Sequence, residues 1–589
     1  MKIILVSLNS KFIHSNLAIR YLSKFVSNIE DVGIYEFTIN QNPDFIASEI
    51  YKLLPDVVGF STYIWNLKET LKVCEILKTV KPELKILLGG PEVSYDGEEI
   101  MNDIPYIDYI IYGEGEESFK EFIDGIRDNR SLRDIKGLIY RDGSSVIKNE
   151  ERQLINDLNT VPFPYENIGN EFENKIIYYE SSRGCPFNCQ YCLSSTLRGV
   201  RIFDIERVKR DLTTLIEGKV RQVKFVDRTF NANKEYAMEI LKFLKEKNPE
   251  NINFHFEITA HLIDDEFLDL LKDVKSGLFQ FEIGVQSTND NTIDAIGRTT
   301  DFSELSKVVK SIKRNNNIHQ HLDLIAGLPY ENYDSFKDSF NDVYNLKPEK
   351  LQLGFLKLLK GSGLRLAKEK YGYKYIDEPP YEVLESNYIS YEELLKLKEI
   401  EDLVEKYYNE GYFEHTLDYL ITKHYSSPFE FYEDLSKFWD SRKYNQVSHS
   451  RNGLYEILAE FIYYKNFEDT LYITQILKFD SKLNNKNSTL KFEYEKDNII
   501  YKNKSNLHEL LRNEEILTKY LYDYKEMPTK KLINKVAIDV FQFNILDAIR
   551  NNFEVKEENE DVYILFDYKD DALIRGKAFD ITEIVREMI

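Results

Sequence analysis

Short apolar runs alternate with longer amphipathic stretches through the first two thirds of the chain, and the two periods involved, 2 and 3.6, separate strand from helix. Over residues 1 to 150 the runs Lys2 to Leu8, Val57 to Ser61, Lys85 to Leu88 and Tyr109 to Tyr112 lie between helical patterns, which predicts parallel strands with crossover helices in a Rossmann-like domain. The stretch 151 to 174 reads as a linker, because Val161-Pro162-Phe163-Pro164 disfavours helix. Six more strand-like runs follow within 175 to 375: Lys175 to Glu180, Gln222 to Val226, Asn253 to Thr259, Leu278 to Gln286, His319 to Ile325 and Lys350 to Leu356. With helices between them they predict an incomplete parallel (β/α) barrel, so the fold class is α/β. In 376 to 589 the spacing of Leu394, Leu397, Ile400, Val404 and Tyr407 predicts an amphipathic helix that ends near Gly411. Leu490 to Tyr494 and Asp561 to Tyr568 read as strands, which gives a mostly helical C-terminal domain with a few strands.

Alternation inside the barrel runs adds a second prediction. His255, Glu257 and Thr259 share one face of their strand, as do Glu282, Gly284 and Gln286, and His319, His321 and Asp323. Polar side chains on a buried face are costly without partners, so this lining suggests a lumen that holds a ligand. His255 and His319 could instead lie at strand ends or on an exposed face.

Composition narrows the class. A chain of 589 residues exceeds the roughly 250 to 300 at which single cores stop growing, so two or three domains are expected. The opening Met-Lys-Ile-Ile-Leu-Val runs into polar Ser-Leu-Asn-Ser, and no apolar run is long enough to span a bilayer, so no membrane association and a cytoplasmic location are expected. Four cysteines give no disulfide framework and suit a reducing compartment. With 100 acidic against 77 basic residues the net charge is -23, which opposes a phosphate backbone and makes nucleic acid a poor partner.

Three of those cysteines fall in Arg183-Gly184-Cys185-Pro186-Phe187-Asn188-Cys189-Gln190-Tyr191-Cys192. At this spacing three thiolates can close around three irons of a cubane and leave the fourth iron open to a small chelating molecule. A zinc knuckle or three buried thiols are the alternatives, but zinc wants a fourth ligand and no histidine or further cysteine lies nearby. Cys74 is far upstream in the helical stretch Leu71 to Thr79, so a single cluster on Cys185, Cys189 and Cys192 is expected, and such a cluster suits an anaerobe.

This motif, with aromatic Tyr191 before its last cysteine, resembles the radical S-adenosylmethionine (SAM) superfamily. The N-terminal segment is similar to the cobalamin-binding domain of cobalamin-dependent radical SAM enzymes, on three loops that follow predicted strands. These are Ser61-Thr62-Tyr63-Ile64-Trp65-Asn66, Gly89-Gly90-Pro91-Glu92-Val93-Ser94 and Gly113-Glu114-Gly115-Glu116. The resemblance implies cobalamin contacts at Ser61, Thr62, Trp65, Gly89, Gly90, Pro91, Glu92, Ser94, Gly113, Glu114 and Gly115. A D-x-H-x-x-G motif is absent, so cobalamin is expected base-off, with His14 a loop or helix-cap residue and Trp65 over the lower face or serving as a hydrophobic lid.

The barrel resembles the branch that includes oxygen-independent coproporphyrinogen III oxidase, through Gly284-Val285-Gln286-Ser287, Arg298 and Asp323-Leu324-Ile325-Ala326-Gly327-Leu328-Pro329. That likeness implies SAM contacts at Glu257, Gln286, Arg298 and Asp323, with Tyr191 near the adenine. Asp227, in Phe225-Val226-Asp227-Arg228-Thr229-Phe230-Asn231, would pair with the SAM ammonium by a charge-assisted bond.

The function implied is a cobalamin-dependent radical SAM enzyme that cleaves SAM reductively at a four-iron four-sulfur cluster and methylates an unactivated carbon. Its substrate is a small molecule or peptide, and its electron donor a flavodoxin or ferredoxin. Rearrangement, cyclisation or oxidation without methyl transfer is the alternative within the same architecture, and a cobalamin or redox sensor is a third reading that would not need the SAM contacts.

Overall fold

The computed structural model describes every residue except 166–167, 197–198, 489, 491–503, 554–557, 569–575 and 589. Contacts divide the chain into two units, Met1–Leu394 and Leu395–Ile589.

The first unit opens with a seven-stranded sheet built from β1 (Ile3–Asn9), β2 (Val32–Thr38), β3 (Val57–Ser61), β4 (Lys85–Gly89), β5 (Tyr109–Ile111), β6 (Leu138–Asp142) and β7 (Ser145–Lys148), in the order β2-β1-β3-β4-β5-β6-β7. The pairs among β1 to β5 are parallel, and β6 and β7 join antiparallel. Every residue of β1 and β3 is buried, because apolar cores form on both faces: Ile4, Val6 and Leu8 pack on one side and Ile3 and Leu5 on the other. The pairs Ser7↔Ser61 and Ser61↔Gly89 bring the carboxyl ends of the central strands to one edge, where their loops gather. Sequence pattern did not reveal β2, β6 and β7. In β2 only Val32 is fully buried, and Gly33 and Glu36 interrupt its apolar run.

The second sheet contains β8 (Ile176–Tyr179), β11 (Gln222–Phe225), β12 (Asn253–Ile258), β13 (Phe279–Gln286), β14 (His319–Ala326) and β15 (Lys350–Phe355), all parallel and in sequence order. Each lies within a residue of its expected bounds at either end. Its two edges, β8 and β15, do not pair, so it is a partial barrel. Phe254, Phe256, Phe281, Ile283, Leu322 and Leu324 make one face apolar and buried. In-register pairs His255↔Gln280, Glu257↔Glu282, Glu282↔His321 and Gly284↔Asp323 put the polar residues together on the other. Between β8 and β11 a short antiparallel hairpin, β9 (Ser182–Cys185) with β10 (Gly199–Ile202), carries the first cysteine.

The second unit is helical through Thr470–Asn484 and then forms an antiparallel sheet of Val536–Phe543, Glu558–Asp567 and Lys577–Asp580. The expected strand at Asp561 to Tyr568 falls in the middle of that sheet, and that at Leu490 to Tyr494 lies, beyond Leu490, outside the described residues. Leu397, Ile400, Val404 and Tyr407 are buried as expected of a packed stripe. Among the described residues no helix is long and apolar enough to cross a membrane.

Candidate functional site

The cysteine segment leaves β9 at Cys185 and is clamped by backbone bonds from two distant places. Gln190 N donates to Ile296 O at 2.9 Å, and Leu364 N donates to Gln190 O at 2.8 Å. Gly297, with φ +69°, makes the first clamp possible, since a Cβ there would come within 2.8 Å of Asn188 O. Cys189 is buried, while Cys185 and Cys192 are half-buried. Near the sulfurs lie Thr229 Oγ1, 3.7 Å from Cys185 Sγ, Arg298 Nη1, 3.8 Å from Cys189 Sγ, and Ser194 N, 3.4 Å from Cys192 Sγ. The three thiols are neighbours on one clamped loop rather than converged donors, and among the described residues no His, Cys, Asp and Glu side chains stand in a ready metal cage.

Arg298 ties this loop to the polar face of the second sheet. Its Nη1 donates to Tyr191 Oη at 2.9 Å, and its Nη2 donates to Gly284 O at 2.9 Å. A bulge between Gly284 and Gln286 turns Gln286 inward at φ +70°. Its Oε1 and Asp323 Oδ1 are buried without a hydrogen-bond partner among the described residues. Such orphaned polar atoms are costly unless a ligand meets them. Of the expected SAM contacts, Tyr191 and Arg298 lie at the cysteine segment, Gln286 lies beside Gly284, which Arg298 also bonds, and Asp323 and Glu257 share the polar face through their register with Gly284 and Glu282.

Three carboxyls on neighbouring strands differ in charge because their partners differ. Burial pushes the Asp323 carboxyl up to about 8, reinforced by repulsion from Glu282 and Glu257. Burial raises Glu257 as well, with Glu282 adding to it. Burial would raise Glu282 too, but a bond from Lys224 at 2.9 Å and the approach of His255 Nε2 to within 2.9 Å bring it down to about 2. His255 is buried rather than at an exposed strand end, whereas His319 is exposed and lies 2.9 Å from His321 Nε2. Asp227, expected at the SAM ammonium, has both oxygens engaged: Ser181 Oγ and Ser182 Oγ donate to Oδ1 at 2.6 and 2.5 Å, and Ser181 N to Oδ2 at 3.0 Å. It braces the turn from β8 into the cysteine hairpin. Nothing in the pattern around Ser181 and Ser182 signalled that role.

At the edge of the first sheet, Thr62 N and Oγ1 donate to Gly89 O at 2.7 and 2.9 Å, which fuses two of the expected cobalamin loops. Gly90 sits at φ +116°, where a Cβ would lie 2.4 Å from Thr62 O. Pro91 opens the turn Pro91–Ser94, and Ser94 Oγ donates to Gly90 O at 2.8 Å. Ser61 Oγ accepts from Asn16 Nδ2 at 3.0 Å, and Asn66 Nδ2 bonds Leu8 O and Ser61 O, so the first of these loops is fixed from beneath. Trp65 stacks on Tyr63 with ring centroids 4.5 Å apart and is 46% exposed. Gly113, at φ +78°, has open space where a Cβ would stand. Gly90 thus serves the close approach of the two loops, while the open space at Gly113 and the exposed indole leave room for a ligand. His14 is a loop residue, its Nδ1 2.6 Å from Tyr178 Oη.

Two carboxylates of these loops reach elsewhere. Glu92 accepts from Tyr381 Oη at 2.8 Å, and Glu114 accepts from Arg201 and from Ile155 N at 2.7 Å. Gly115 precedes the helix Glu116–Arg127.

Comparison with known proteins matches residues 3–123 to a B12 binding domain, 179–343 to the radical SAM superfamily and 369–566 to a protein family of unknown function, DUF4080. The chain is 28% identical over 331 residues to an uncharacterized methyltransferase, PH0819, of Pyrococcus horikoshii, covering 54% of this chain and 70% of that one. It is 24% identical to the 2-(S-pantetheinyl)-carbapenam-3-carboxylate methyltransferase of Streptantibioticus cattleyicolor, covering 69% of this chain and 65% of that one. Among solved structures, the cobalamin-dependent SAM radical enzyme OxsB, with aqua-cobalamin and SAM bound, shares the fold at a TM-score of 0.59 and 16% identity, covering 84% of this chain and 82% of that one.

Proposed function

We propose, from the matches to a B12 binding domain and to the radical SAM superfamily, that the chain cleaves SAM at a four-iron four-sulfur cluster held by Cys185, Cys189 and Cys192 and methylates an unactivated carbon with cobalamin as methyl carrier. The observation that carries this reading is the pair of buried oxygens, Gln286 Oε1 and Asp323 Oδ1, that lack a hydrogen-bond partner among the described residues, on the same polar face that Arg298 links to the cysteine loop. The donor set fits, because thiolates suit an iron–sulfur cluster and no nitrogen ligand is needed. When bound, these groups supply an electron to SAM, a 5'-deoxyadenosyl radical that takes a hydrogen atom from substrate, and a methyl group for the carbon left behind.

The chain's own residues do the holding. Asp323, neutral below about pH 8, keeps a proton with which it donates to a ligand oxygen, while Gln286 Oε1 accepts. Glu257 shares that wall. Arg298 fixes Tyr191 against the cluster loop, and Asp227 fixes the hairpin that bears Cys185. Glu282 stays ionised between Lys224 and His255 deeper in the lumen. The fused Thr62 and Gly90 loops, with Trp65 and Gly113, offer the cradle for base-off cobalamin. A flavodoxin or ferredoxin is the class of reductant such a cluster needs.

The test is product analysis with methyl-labelled SAM under strictly anaerobic conditions, using candidate small molecules and peptides. Methyl transfer yields 5'-deoxyadenosine and S-adenosylhomocysteine together, with label in the product. Deoxyadenosine coupled to an unlabelled product overturns methylation in favour of rearrangement, cyclisation or oxidation.

A further inference from the structure

The hairpin that bears Cys185 carries two arginines where a hairpin would ordinarily avoid them. Arg183 on β9 and Arg201 on β10 are direct cross-strand partners, two residues from the pair Cys185↔Gly199. Like charges placed opposite one another in a sheet repel. They are tolerated here because carboxylates cover them, and two of these come from the first sheet's Gly113–Glu116 loop. Arg183 Nη2 lies 2.5 Å from Glu116 Oε1, and its Nη1 is 3.5 Å from Glu114 Oε1. Arg201 grips Glu114 with two bonds, Nη2 to Oε1 at 2.7 Å and Nη1 to Oε2 at 3.0 Å. Glu180, at the end of β8, completes the set with Oε2 2.9 Å from Arg183 Nε. The side chains of Arg183, Glu114 and Glu116 are only 11%, 12% and 6% exposed, so water screens the pairs little.

Without the loop Arg201 loses its carboxylate and Arg183 keeps only Glu180, and without the hairpin Glu114 loses both bonds from Arg201. We infer that Arg183 and Arg201 are positioning residues that couple cluster assembly at Cys185 to cobalamin binding beside Gly113. The inference rests on the proposed function, because it assumes that both groups bind. Whatever orders the hairpin orders the loop, and linkage makes the effect reciprocal.

The experiment titrates hydroxocobalamin by absorbance into the full chain, as isolated without cluster and after cluster reconstitution. The cluster-loaded chain should bind roughly tenfold tighter, within the range typical of coupled sites. Reciprocally, cobalamin should slow iron loss to a chelator. Glu114→Gln and Arg201→Gln should each remove the tenfold difference, with Arg201→Lys restoring part of it, while unfolding temperature shows each variant folded. A purely structural role would lower affinity equally with and without cluster. Equal affinity in the two forms of the unsubstituted chain, or variants that keep the difference, overturns the coupling alone. Should a variant fail to fold, the comparison of the two unsubstituted forms decides. Failure of either group to bind at all overturns the functional reading, and the coupling with it.

Discussion

The two parallel sheets of the first unit place their chemistry differently. In the seven-stranded sheet, β1 and β3 are buried on both faces and every expected contact residue lies at or beyond a strand's carboxyl end. In the six-stranded partial barrel one face is apolar and the other polar, so Glu257, Gln286 and Asp323 stand on the strands themselves. A site in loops depends on backbone conformation and close approach, whereas a site on strands depends on register and burial. Substitutions should therefore fail for different reasons in the two regions.

The largest expected effect belongs to neither sheet but to the clamped loop that leaves β9. Cys189→Ala should abolish cluster incorporation and all SAM cleavage, measured by iron and sulfide content and by 5'-deoxyadenosine formation. Cys74→Ala, in the core of the first sheet, should leave iron content unchanged and cost about 1 kcal/mol of stability. Iron loss from Cys74→Ala would refute the single-cluster reading.

On the strand side, Asp323→Ala should weaken SAM binding roughly tenfold to a hundredfold, measured by equilibrium dialysis, because it removes the carboxyl that meets the ligand and leaves Gln286 as the remaining oriented partner, whereas the neutral amide of Asp323→Asn should keep most of the affinity. Its pH signature is specific. A carboxyl raised to about 8 in the folded chain holds a proton that the unfolded chain releases near 4, so its contribution to stability is complete below about pH 4 and is lost as pH rises through 8. Asp323→Asn should flatten the dependence of stability on pH over that window in urea titrations. An unchanged slope would show that Asp323 is ionised.

On the loop side, Gly90→Ala should cost about 1–3 kcal/mol, since the residue has a conformation nearly confined to glycine and its new Cβ would meet Thr62 O. Cobalamin affinity should fall with it, while cluster content is kept. The smallest effect is expected of Trp65→Ala: stability within about 0.5 kcal/mol, because the ring is nearly half exposed on a surface loop, with cobalamin affinity lowered severalfold. Unchanged affinity would leave Trp65 as a surface lid and nothing more.

Much of this was legible from residue order. The barrel strands follow from apolar runs flanked by helical patterns, and the shared faces of His255 with Glu257 and of Glu282 with Gly284 follow from period 2. The half-exposed strand β2 gave no continuous apolar signal, and the hairpin of β9 and β10 is too short to give one. The motif loops were recognisable, yet their carboxylates had unforeseen partners: Glu92 meets a tyrosine 289 positions away and Glu114 an arginine 87 positions away.

By itself, the sequence determined which side chains share a strand face and which cysteines share a loop, since both depend on covalent geometry over a few residues. Tertiary structure alone decided what those groups are. Glu257, Glu282 and Asp323 carry the same functional group on adjacent strands, but only the placement of Lys224 and His255 beside Glu282 makes it an anion while Asp323 keeps its proton to about pH 8. Desolvation and neighbouring charge set the protonation of a carboxyl, and both come from residues brought together only by folding.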